Sequence, residues 1–400
     1  MREKNLSDLR VLDFGRVMAG PYLGQIFADL GAEVIKIEQP GKGADERSFS
    51  PFGKGQSGYF MLVNRGKKSI TLDLKNPAAK DIVLKLVRIS DIVIENFKPG
   101  VMKSLGLDYE ELRAVNPQII MCSISTFGQT GPYAQKAGYD IVAQAMSGIM
   151  WMSGDPDRPP MRSGSTIGDY NASTHAFGAI MAALHYKDRS GVGQHVDIAL
   201  RDCLTAILET AIPRYTMTGG EDQLMRTGSH HETMAPYGIF KAANDKYVAI
   251  GALNPSLWER LCQAIGRPDL VNNPDFADSV VRGRNLPQVI SIIEGWLKSY
   301  EDVKEPLAIL EKNGIPAGPV LDIEGLFDDP QLKLRELFVE VTDPIFGKVV
   351  LTGTPMKFSE TDSVTTNPPP MLGEHTEEVL TKLLGYTQSD ISDLHEKKAI

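Results

Sequence analysis

The sequence has few cysteines, and their pattern points to neither a disulfide nor a metal. The 400 residues contain three, Cys122, Cys203 and Cys262, which are far apart and in apolar surroundings. An odd number at such spacing forms neither a disulfide framework nor a zinc motif. We therefore expect a protein of a reducing compartment, most simply the cytoplasm, with no resident metal.

Long apolar runs and an excess of positive charge are also absent. No stretch reaches the roughly 18 apolar residues of a membrane span, and the first residues lack the apolar segment of a secretory signal. The net charge of −9 argues against a general nucleic-acid binder, which needs a basic surface. We expect neither a membrane nor a nucleic acid among the partners.

The common nucleotide-binding motifs are missing too. The loop after the first predicted strand runs from Gly15 to Gly20 without the G-x-G-x-x-G spacing, and no G-x-x-x-x-G-K-[ST] motif occurs. We therefore expect no NAD, and we interpret Glu38 as a solvated strand end rather than a ribose ligand. The run His230-His231-Glu232 has no third ligand at a recognised spacing, so we interpret it as a polar loop.

Short β-branched runs alternate with helical patterns through the first half of the chain. They predict an α/β fold whose parallel sheet is covered by helices on both faces. The predicted strands are 10–14, 33–38, 69–74, 91–95, 118–123 and 194–200, and the predicted helices are 22–30, one with Asn76 as its cap and Pro77 first, 109–115 and one from about 169.

The pattern changes after residue 200. Two predicted strands, 237–242 and 247–253, and a helix over 286–297 indicate a smaller α/β domain over 230–325. We expect 1–200 and 330–400 to form the large domain, with linkers over 201–229 and 326–350. The segment 314–319 is interpreted as loop, and a last helix over 374–384 is expected to end at Gly385 and pack on the large domain.

One carboxylate stands where a helix starts. Asp169 follows Gly168, and apolar residues then recur at helical spacing from Ala172. Free N–H groups and the helix dipole would keep such a carboxylate ionised, and Gly168 would leave room for a ligand. From this pattern alone, Asp169 is either a helix cap or a nucleophile. His175 is expected on a different face of the helix.

Several motifs recur in a distinctive order. They include Arg-Val-Met-Ala-Gly-Pro at 16–21, Leu-Gly-Ala-Glu-Val-Ile-Lys-Ile-Glu at 30–38, Asn-Arg-Gly-Lys-Lys-Ser-Ile at 64–70, Glu-Asn-Phe-Lys-Pro-Gly at 95–100, Ala-Gly-Tyr-Asp at 137–140, Gly-Asp at 168–169, Gly-Ile-Pro-Ala-Gly-Pro-Val at 314–320 and Pro-Pro-Met-Leu-Gly-Glu-His-Thr at 369–376. Nearly the whole chain thus resembles the class III coenzyme A transferases, the family of formyl-CoA and carnitine CoA-transferases, and their relative α-methylacyl-CoA racemase.

The resemblance implies a Rossmann-like large domain, a small domain and a homodimer of two interlocked rings. It implies that CoA moves from an acyl-CoA to a free carboxylic acid. Asp169 falls on the family's aspartate, which attacks the thioester to give a mixed anhydride and then an aspartyl-CoA thioester. Covalent catalysis of this kind divides one difficult exchange into easier steps.

The resemblance also carries over a CoA site. Its residues are Val17, Met18, Leu72, Lys75, Asn96, Phe97, Lys98, Lys103, Lys136 and Tyr139. Gln39 and Ser104 stand where relatives often carry arginine, so we expect altered phosphate contacts, with Lys103 or Lys42 as the replacement. Small residues over 251–253, where formyl-CoA transferases have a glycine-rich loop, are candidates to supply N–H donors to an oxyanion.

Two alternatives stay open beside transfer. Racemase relatives carry histidine where this chain has Tyr139, so one proton carrier is missing and transfer is favoured. An inactive CoA-binding protein would need Asp169 to be only a cap. Residues 146–152 are read as core or as an apolar acyl pocket. Arg16, Arg162 or Arg214 could hold a second carboxylate of the substrate.

Overall fold

The chain divides into two compact units. The computed structural model describes residues 4–222, 225–231, 233–363 and 365–400. The first unit comprises the chain up to Ser147, Ser163–Ile207 and Pro330–Ile400, and the second comprises Gly148–Arg162 and Leu208–Asp329. The segment 148–162, which we had assigned to the large domain, and most of the linker 201–229 thus group with the second unit. Arg226 helps hold them together, since its side chain donates to Trp151 O and Asp155 O.

The first unit contains a six-stranded sheet, two small hairpins and most of the longer helices. Its strands are β1 Arg10–Asp13, β2 Glu33–Glu38, β3 Phe52–Gly53, β4 Gln56–Ser57, β5 Lys68–Thr71, β6 Ile92–Glu95, β7 Ile120–Ser125 and β8 His195–Ala199. Its helices before residue 208 are α1 Ala19–Asp29, α2 Gly58–Asn64, α3 Pro77–Arg88, α4 Val101–Leu105, α5 Tyr109–Val115, α6 Asp140–Ser147, α8 Ile167–Ser190 and α9 Leu200–Ala206.

The second unit inserts α7 Ile149–Met152, α10 Ala211–Met217, β9 Tyr237–Lys241, β10 Tyr247–Gly251, α11 Pro255–Ala264, α12 Ser279–Arg284, α13 Leu286–Leu297, α14 Lys304–Lys312, β11 Ala317–Pro319 and α15 Ile323–Asp328. The chain then returns to the first unit with α16 Pro330–Leu334, β12 Phe338–Asp343, β13 Gly347–Thr352, α17 Thr376–Leu384 and α18 Gln388–Glu396.

The large sheet is parallel throughout and runs in the order β5-β2-β1-β6-β7-β8. This is the order of doubly wound nucleotide-binding folds, so the predicted α/β class is confirmed. The chain direction across the sheet reverses between β1 and β6. In open sheets of this kind ligands bind outside the carboxyl ends of the strands at that point.

Helices bury the strands of this sheet. Leu12, Ile35 and Val93 of the sheet share one apolar cluster with side chains of α3, α5, α17 and α18, so the C-terminal segment packs on the first unit as expected. On α1 and α8, Phe27 and Phe177 meet edge to face at 5.2 Å. Among the described residues, no helix combines the length and apolar character that crossing a bilayer requires.

The second unit has a three-stranded antiparallel sheet, β11-β10-β9, backed by the helical core around Trp258 and Ile293. Reading 314–319 as loop was therefore wrong in part, because Ala317–Pro319 pairs with β10. A strand of three residues that includes a glycine and a proline is too short to be predicted from the sequence pattern.

Glu38 also departs from its prediction. It is 2% exposed rather than solvated, and both of its oxygens accept from Arg47 at 2.7 Å. The sequence shows only that an acidic residue ends a strand, whereas its burial depends on Arg47 nine residues later. Asn76 caps α3 as predicted, since its side chain accepts from Ala78 N at 3.0 Å.

Candidate active site

A cavity of about 440 Å³ opens at the point where the sheet order reverses. The loop after β1, the loop after β6, the segment after β7 and the start of α8 all contribute to its wall. Of the predicted site residues, it brings together Val17, Met18, Asn96, Phe97, Lys98, Lys136, Tyr139 and Asp169, and Arg16 and Asp45 also line it.

The loop from β1 to α1 is held tightly against its surroundings. Asn96 fixes the peptide of Arg16 from both sides, accepting from its N–H at 2.7 Å and donating to its carbonyl at 2.8 Å. Gly15 lies so close to α1 that a Cβ there would be 2.7 Å from the backbone of Gly20. These two glycines therefore allow the β1–α1 loop to contact α1 closely. They do not serve the close approach of a pyrophosphate that glycines provide in dinucleotide-binding loops.

Asp169 lies in the first turn of α8 and faces the cavity. It is the third residue of the helix, so it lies at the helix start as predicted, and the capping position belongs to Thr166. Among the described residues, no side chain or backbone donor bonds to its carboxylate. Asp169 therefore does not act as a cap, and its oxygens are available to a ligand.

The electrostatic setting of Asp169 differs from what the helix start suggested. Burial and the neighbouring carboxylate of Asp140 raise the pKa of Asp169 to about 7. The helix start was expected to favour the ionised form, whereas burial and the like charge of Asp140 favour the neutral form. A carboxylate that is already partly desolvated is more basic than an ordinary aspartate, and both properties suit a nucleophile.

Asp140 ties the start of α8 to α6. Its Oδ1 accepts from Gly168 N at 2.7 Å, and its Oδ2 accepts from the Gln144 side chain at 2.6 Å. A Cβ at position 168 would lie 2.7 Å from Asp140 Oδ1. Gly168 is thus needed for contact with Asp140, whereas we had expected it to give access to a ligand.

Sequence reasoning did not identify Asp140 or Tyr59 as neighbours of Asp169. Asp140 occurs in the motif Ala-Gly-Tyr-Asp, which was quoted only for the resemblance. Tyr59 lies on α2, and burial together with the charge of Asp169 raises the pKa of its hydroxyl. Nothing in the local pattern around Tyr59 signals this position, because only the tertiary fold brings it near α8.

Three cations line the cavity, and one of them is already paired. Arg16 forms an ion pair with Asp45 and lies 5.9 Å from the centre of the Phe97 ring. Lys98 is exposed, and Lys136 lies 4.0 Å from the centre of the Tyr133 ring. The cavity thus combines an aromatic ring, positive charges and the Asp169 carboxylate, a lining that suits an anionic ligand.

Three predicted binding residues lie away from the cavity lining. Leu72 is buried in the core beneath α3, and Lys75 and Lys103 are exposed. Lys42 does not line the cavity either, and its amino group lies 3.3 Å from Asp45. Ser104 donates to Val101 O within α4. The motifs place these residues near the site in sequence, but none of them lines the cavity in this structure.

A second cavity, of about 610 Å³, lies wholly in the second unit. His230, His231 and Tyr237 line it together with backbone of β10 and β11. Glu232, the third residue of the run considered for metal binding, lies outside the described residues. Within the described parts of the chain, no group of three or more His, Cys, Asp or Glu side chains is arranged to hold a metal ion.

Two further expectations concern the second unit. The N–H groups of Gly251 and Ala252 donate to Pro316 O and Pro236 O, so these two are not free to serve as oxyanion donors, and Leu253, the third residue of the suggested set, stays a prediction. Trp151 of α7 is 49% exposed and no residue of α7 is buried, so this helix does not belong to the core. Arg162 and Arg214 belong to this unit and do not line the cavity around Asp169.

Comparison with known proteins decides the family. The model of CoA-transferase family III matches residues 6–376. The chain belongs to CoA-transferase family III. It is 39% identical over 396 residues to a succinyl-CoA–D-citramalate CoA-transferase of Chloroflexus aurantiacus, covering 99% of this chain and 98% of the relative.

Other relatives agree. A succinate–glutarate CoA-transferase of Agrobacterium fabrum is 39% identical, covering 96% of each chain. The crystal structure of a CAIB/BAIF family protein from Brucella suis superposes with a TM-score of 0.85 at 37% identity, covering 96% of this chain and 100% of that one. This CoA-transferase is therefore an enzyme of the family that the motif order indicated, and transfer of CoA to a carboxylate is supported.

Proposed function

We propose that this family III CoA-transferase exchanges CoA between an acyl-CoA and a free acid through covalent intermediates on Asp169. The observation that carries the proposal is the setting of Asp169: a half-buried carboxylate without a hydrogen-bond donor among the described residues, in a cavity with an aromatic ring and cations. Such a carboxylate is accessible to a thioester and has no hydrogen bond from the described residues to lose before it attacks.

The first half-reaction forms two covalent species in turn. A carboxylate oxygen of Asp169 attacks the thioester carbon, the C–S bond breaks, and CoA leaves as a thiolate. The thiolate then attacks the aspartyl carbon of the mixed anhydride. The donor acid leaves as a carboxylate, and Asp169 carries CoA as a thioester.

The second half-reaction reverses these steps with a new acid. Its carboxylate attacks the aspartyl thioester and releases the CoA thiolate, and the thiolate then attacks the acyl carbon of the new anhydride. The products are the new acyl-CoA and the free Asp169 carboxylate. The N–H groups of Ala19 and Gly20, the first two residues of α1, have no intrahelical acceptor and are the donors that we propose for an oxyanion.

We assign the CoA end of the cavity to the residues that carry ring and charge. Phe97 offers a face to the adenine, and Lys98 and Lys136 act as point charges toward phosphates. Val17, Met18, Asn96 and Tyr139 complete the wall. Leu72, Lys75 and Lys103 remain predictions of the resemblance. To contact CoA, Leu72 would have to use its backbone, and the two lysine side chains would have to use their backbone or move.

The acids are proposed to be dicarboxylates. Citramalate, succinate and glutarate, in the names of two close relatives, all carry a second carboxylate. Arg16 is the arginine in the cavity, and its present partner is a carboxylate, that of Asp45. A planar guanidinium matches a carboxylate better than a lysine does, so we propose Arg16 rather than Arg162 or Arg214 for the distal group.

We also propose a homodimer located in the cytoplasm. The homodimer is proposed from the resemblance to the family alone. The three thiols are free, as a reducing compartment permits. Analytical ultracentrifugation would show a species of twice the chain mass, and a monomer at micromolar concentration would contradict the dimer.

The test is an exchange assay with labelled acids. Succinyl-CoA or acetyl-CoA is incubated with succinate, glutarate, citramalate or acetate, and the new acyl-CoA is measured by chromatography. We expect exchange, with the highest kcat/KM for dicarboxylates. Absence of exchange with every pair would overturn the proposal, and solvent deuterium at the α-carbon of a 2-methylacyl-CoA would support the racemase alternative.

A further inference from the structure

Four charged side chains lie fully buried beneath the loop that joins β1 to α1. Asp13 and Lys36 are cross-strand neighbours on β1 and β2. Lys36 pairs with Glu46 at 2.8 Å, and Lys67 pairs with Asp13 at 2.7 Å, with none of these side chains exposed. We call these four residues the buried ion cluster. Two of its members, Lys36 and Lys67, lie in family motifs that the proposed chemistry does not use.

The buried ion cluster holds the backbone of the loop at three points. Gly15 N donates to Asp13 at 2.7 Å, and Gly15 O accepts from Lys36 at 2.9 Å. Val17 N donates to Glu46 Oε2 at 3.0 Å. The loop residues that line the cavity are therefore fastened from below by charges that never meet solvent.

One of these residues has an unfavourable backbone conformation. Val17 has φ of 65°, in the left-handed region that β-branched residues rarely adopt. Such a conformation persists only where the surroundings over-determine it, and it is common at functional sites. The hydrogen bond from Val17 N to Glu46 is the contact with the buried ion cluster that this residue makes.

Stability alone does not account for the buried ion cluster. Burying four charges costs desolvation energy that their pairing only partly recovers, and apolar side chains of similar volume often stabilise a core at least as well. Charges in an interior can instead specify one backbone geometry, because each demands a partner in one direction. Here one of the partners, Val17, lies on the wall of the cavity that contains Asp169, and the other, Gly15, lies two residues before it.

We propose that Asp13, Lys36, Glu46 and Lys67 are positioning residues that hold Val17 in its left-handed conformation, and so keep the Arg16–Met18 wall in place for acyl-CoA. The inference rests on the proposed function for its kinetic consequence. The geometric part, a loop held by Glu46, stands independently of what the enzyme transfers.

A double-mutant cycle between Glu46 and Val17 tests the kinetic consequence. Glu46→Gln is nearly isosteric and weakens the acceptor for Val17 N. We expect kcat/KM for acyl-CoA to fall about 10- to 100-fold, mainly through KM, because small displacements of a binding wall have effects of this size. Glycine adopts positive φ freely, so in a Val17→Gly background the same substitution is expected to cost at least fivefold less.

A control separates positioning from stability. Arg65 and Asp29 form another buried ion pair in the same unit, and neither lines the cavity. Asp29→Asn is expected to lower Tm about as much as Glu46→Gln does while changing KM less than twofold. Equal effects of Glu46→Gln in both Val17 backgrounds, or an equal rise in KM with Asp29→Asn, would overturn the proposal.

Hydrogen exchange on the unaltered enzyme tests the geometric part without relying on variants or activity. If Glu46 holds the loop, the Val17 amide exchanges as slowly as the amides of β1, because its hydrogen is bonded to a buried carboxylate. Exchange of Val17 at the rate of an exposed loop would overturn the inference even if CoA transfer is confirmed. Slow exchange with no CoA transfer would support the inference and contradict the proposed function.

Discussion

Two regions on either side of the β1–α1 loop shift the pKa of a carboxyl group in opposite directions. One is the interior beneath the loop, and the other is the cavity that the loop lines. Burial opposes the charge of Asp13, but Lys67 and Lys36 outweigh it and hold the pKa of Asp13 below its usual value. Asp169 meets burial and the like charge of Asp140, which raise its pKa to about 7. The fold thus pairs the carboxylate beneath the loop and leaves unpaired the one that we propose as the nucleophile.

The largest expected effect comes from removing the unpaired carboxylate. Asp169→Ala should lower the rate of CoA exchange on the order of 10⁴-fold or more, because the covalent route is lost. The measurement is labelled exchange between succinyl-CoA and succinate. Asp188→Ala, at the exposed end of the same helix, is the matched control and should retain activity. A loss below tenfold with Asp169→Ala would remove it from the mechanism.

Breaking a pair in the interior should act on stability instead. Asp13→Asn leaves Lys67 and Lys36 buried with too little negative charge, so we expect the free energy of unfolding to fall by about 3–5 kcal/mol. Urea titration at pH 7 measures it. Asp393→Asn, which breaks an exposed pair with Lys397, should cost at most about 0.5 kcal/mol. Similar losses in the two variants would contradict the contrast between the regions.

The unpaired carboxylate should itself reduce stability. Because the pKa of Asp169 is raised in the folded state, the folded protein binds this proton more tightly than the unfolded chain, and stability is lost as pH rises from about 4 to 7. Asp169→Asn should therefore add about 1–2 kcal/mol at pH 8, allowing for partial solvation, and almost nothing at pH 4. A gain that is equal at both pH values would point to another cause.

The smallest expected effect comes from removing the negative charge of Asp140 beside Asp169. The kcat/KM of the natural enzyme should rise with pH through an apparent pKa of about 7, since the nucleophile must be ionised. Asp140→Asn keeps an acceptor for Gly168 N and removes the charge, so the rise should move to lower pH and activity below pH 6 should increase several-fold. A profile that stays in place or moves to higher pH would show that Asp140 does not act on Asp169 by charge.

Patterns of single elements predicted the sheet and most helices well. The strand 33–38 and the helix 109–115 agree with the structure residue for residue, because both have a clear period and clear ends. The sequence indicated the family through motif order, and it singled out Asp169. These signals are local or linear, so they can be read without the fold.

The missing parts depend on contacts between distant residues. Lys36 and Lys67 look like ordinary charged residues, and only the tertiary fold, which brings them to Glu46 and Asp13, makes them part of a buried ion cluster. The motif resemblance likewise could not show that Leu72 is buried in the core or that Lys75 and Lys103 do not line the cavity. Side-chain direction follows from neighbours that lie far apart in the chain.

The covalent role of Asp169 is the central claim, and trapping tests it most directly. The enzyme is incubated with succinyl-CoA, quenched with hydroxylamine and digested, and the peptide that contains Asp169 is analysed by mass spectrometry. We predict a hydroxamate at Asp169 that appears only with acyl-CoA and is absent from Asp169→Asn. An unmodified Asp169 in enzyme that is turning over, or a hydroxamate on another residue, would contradict the account.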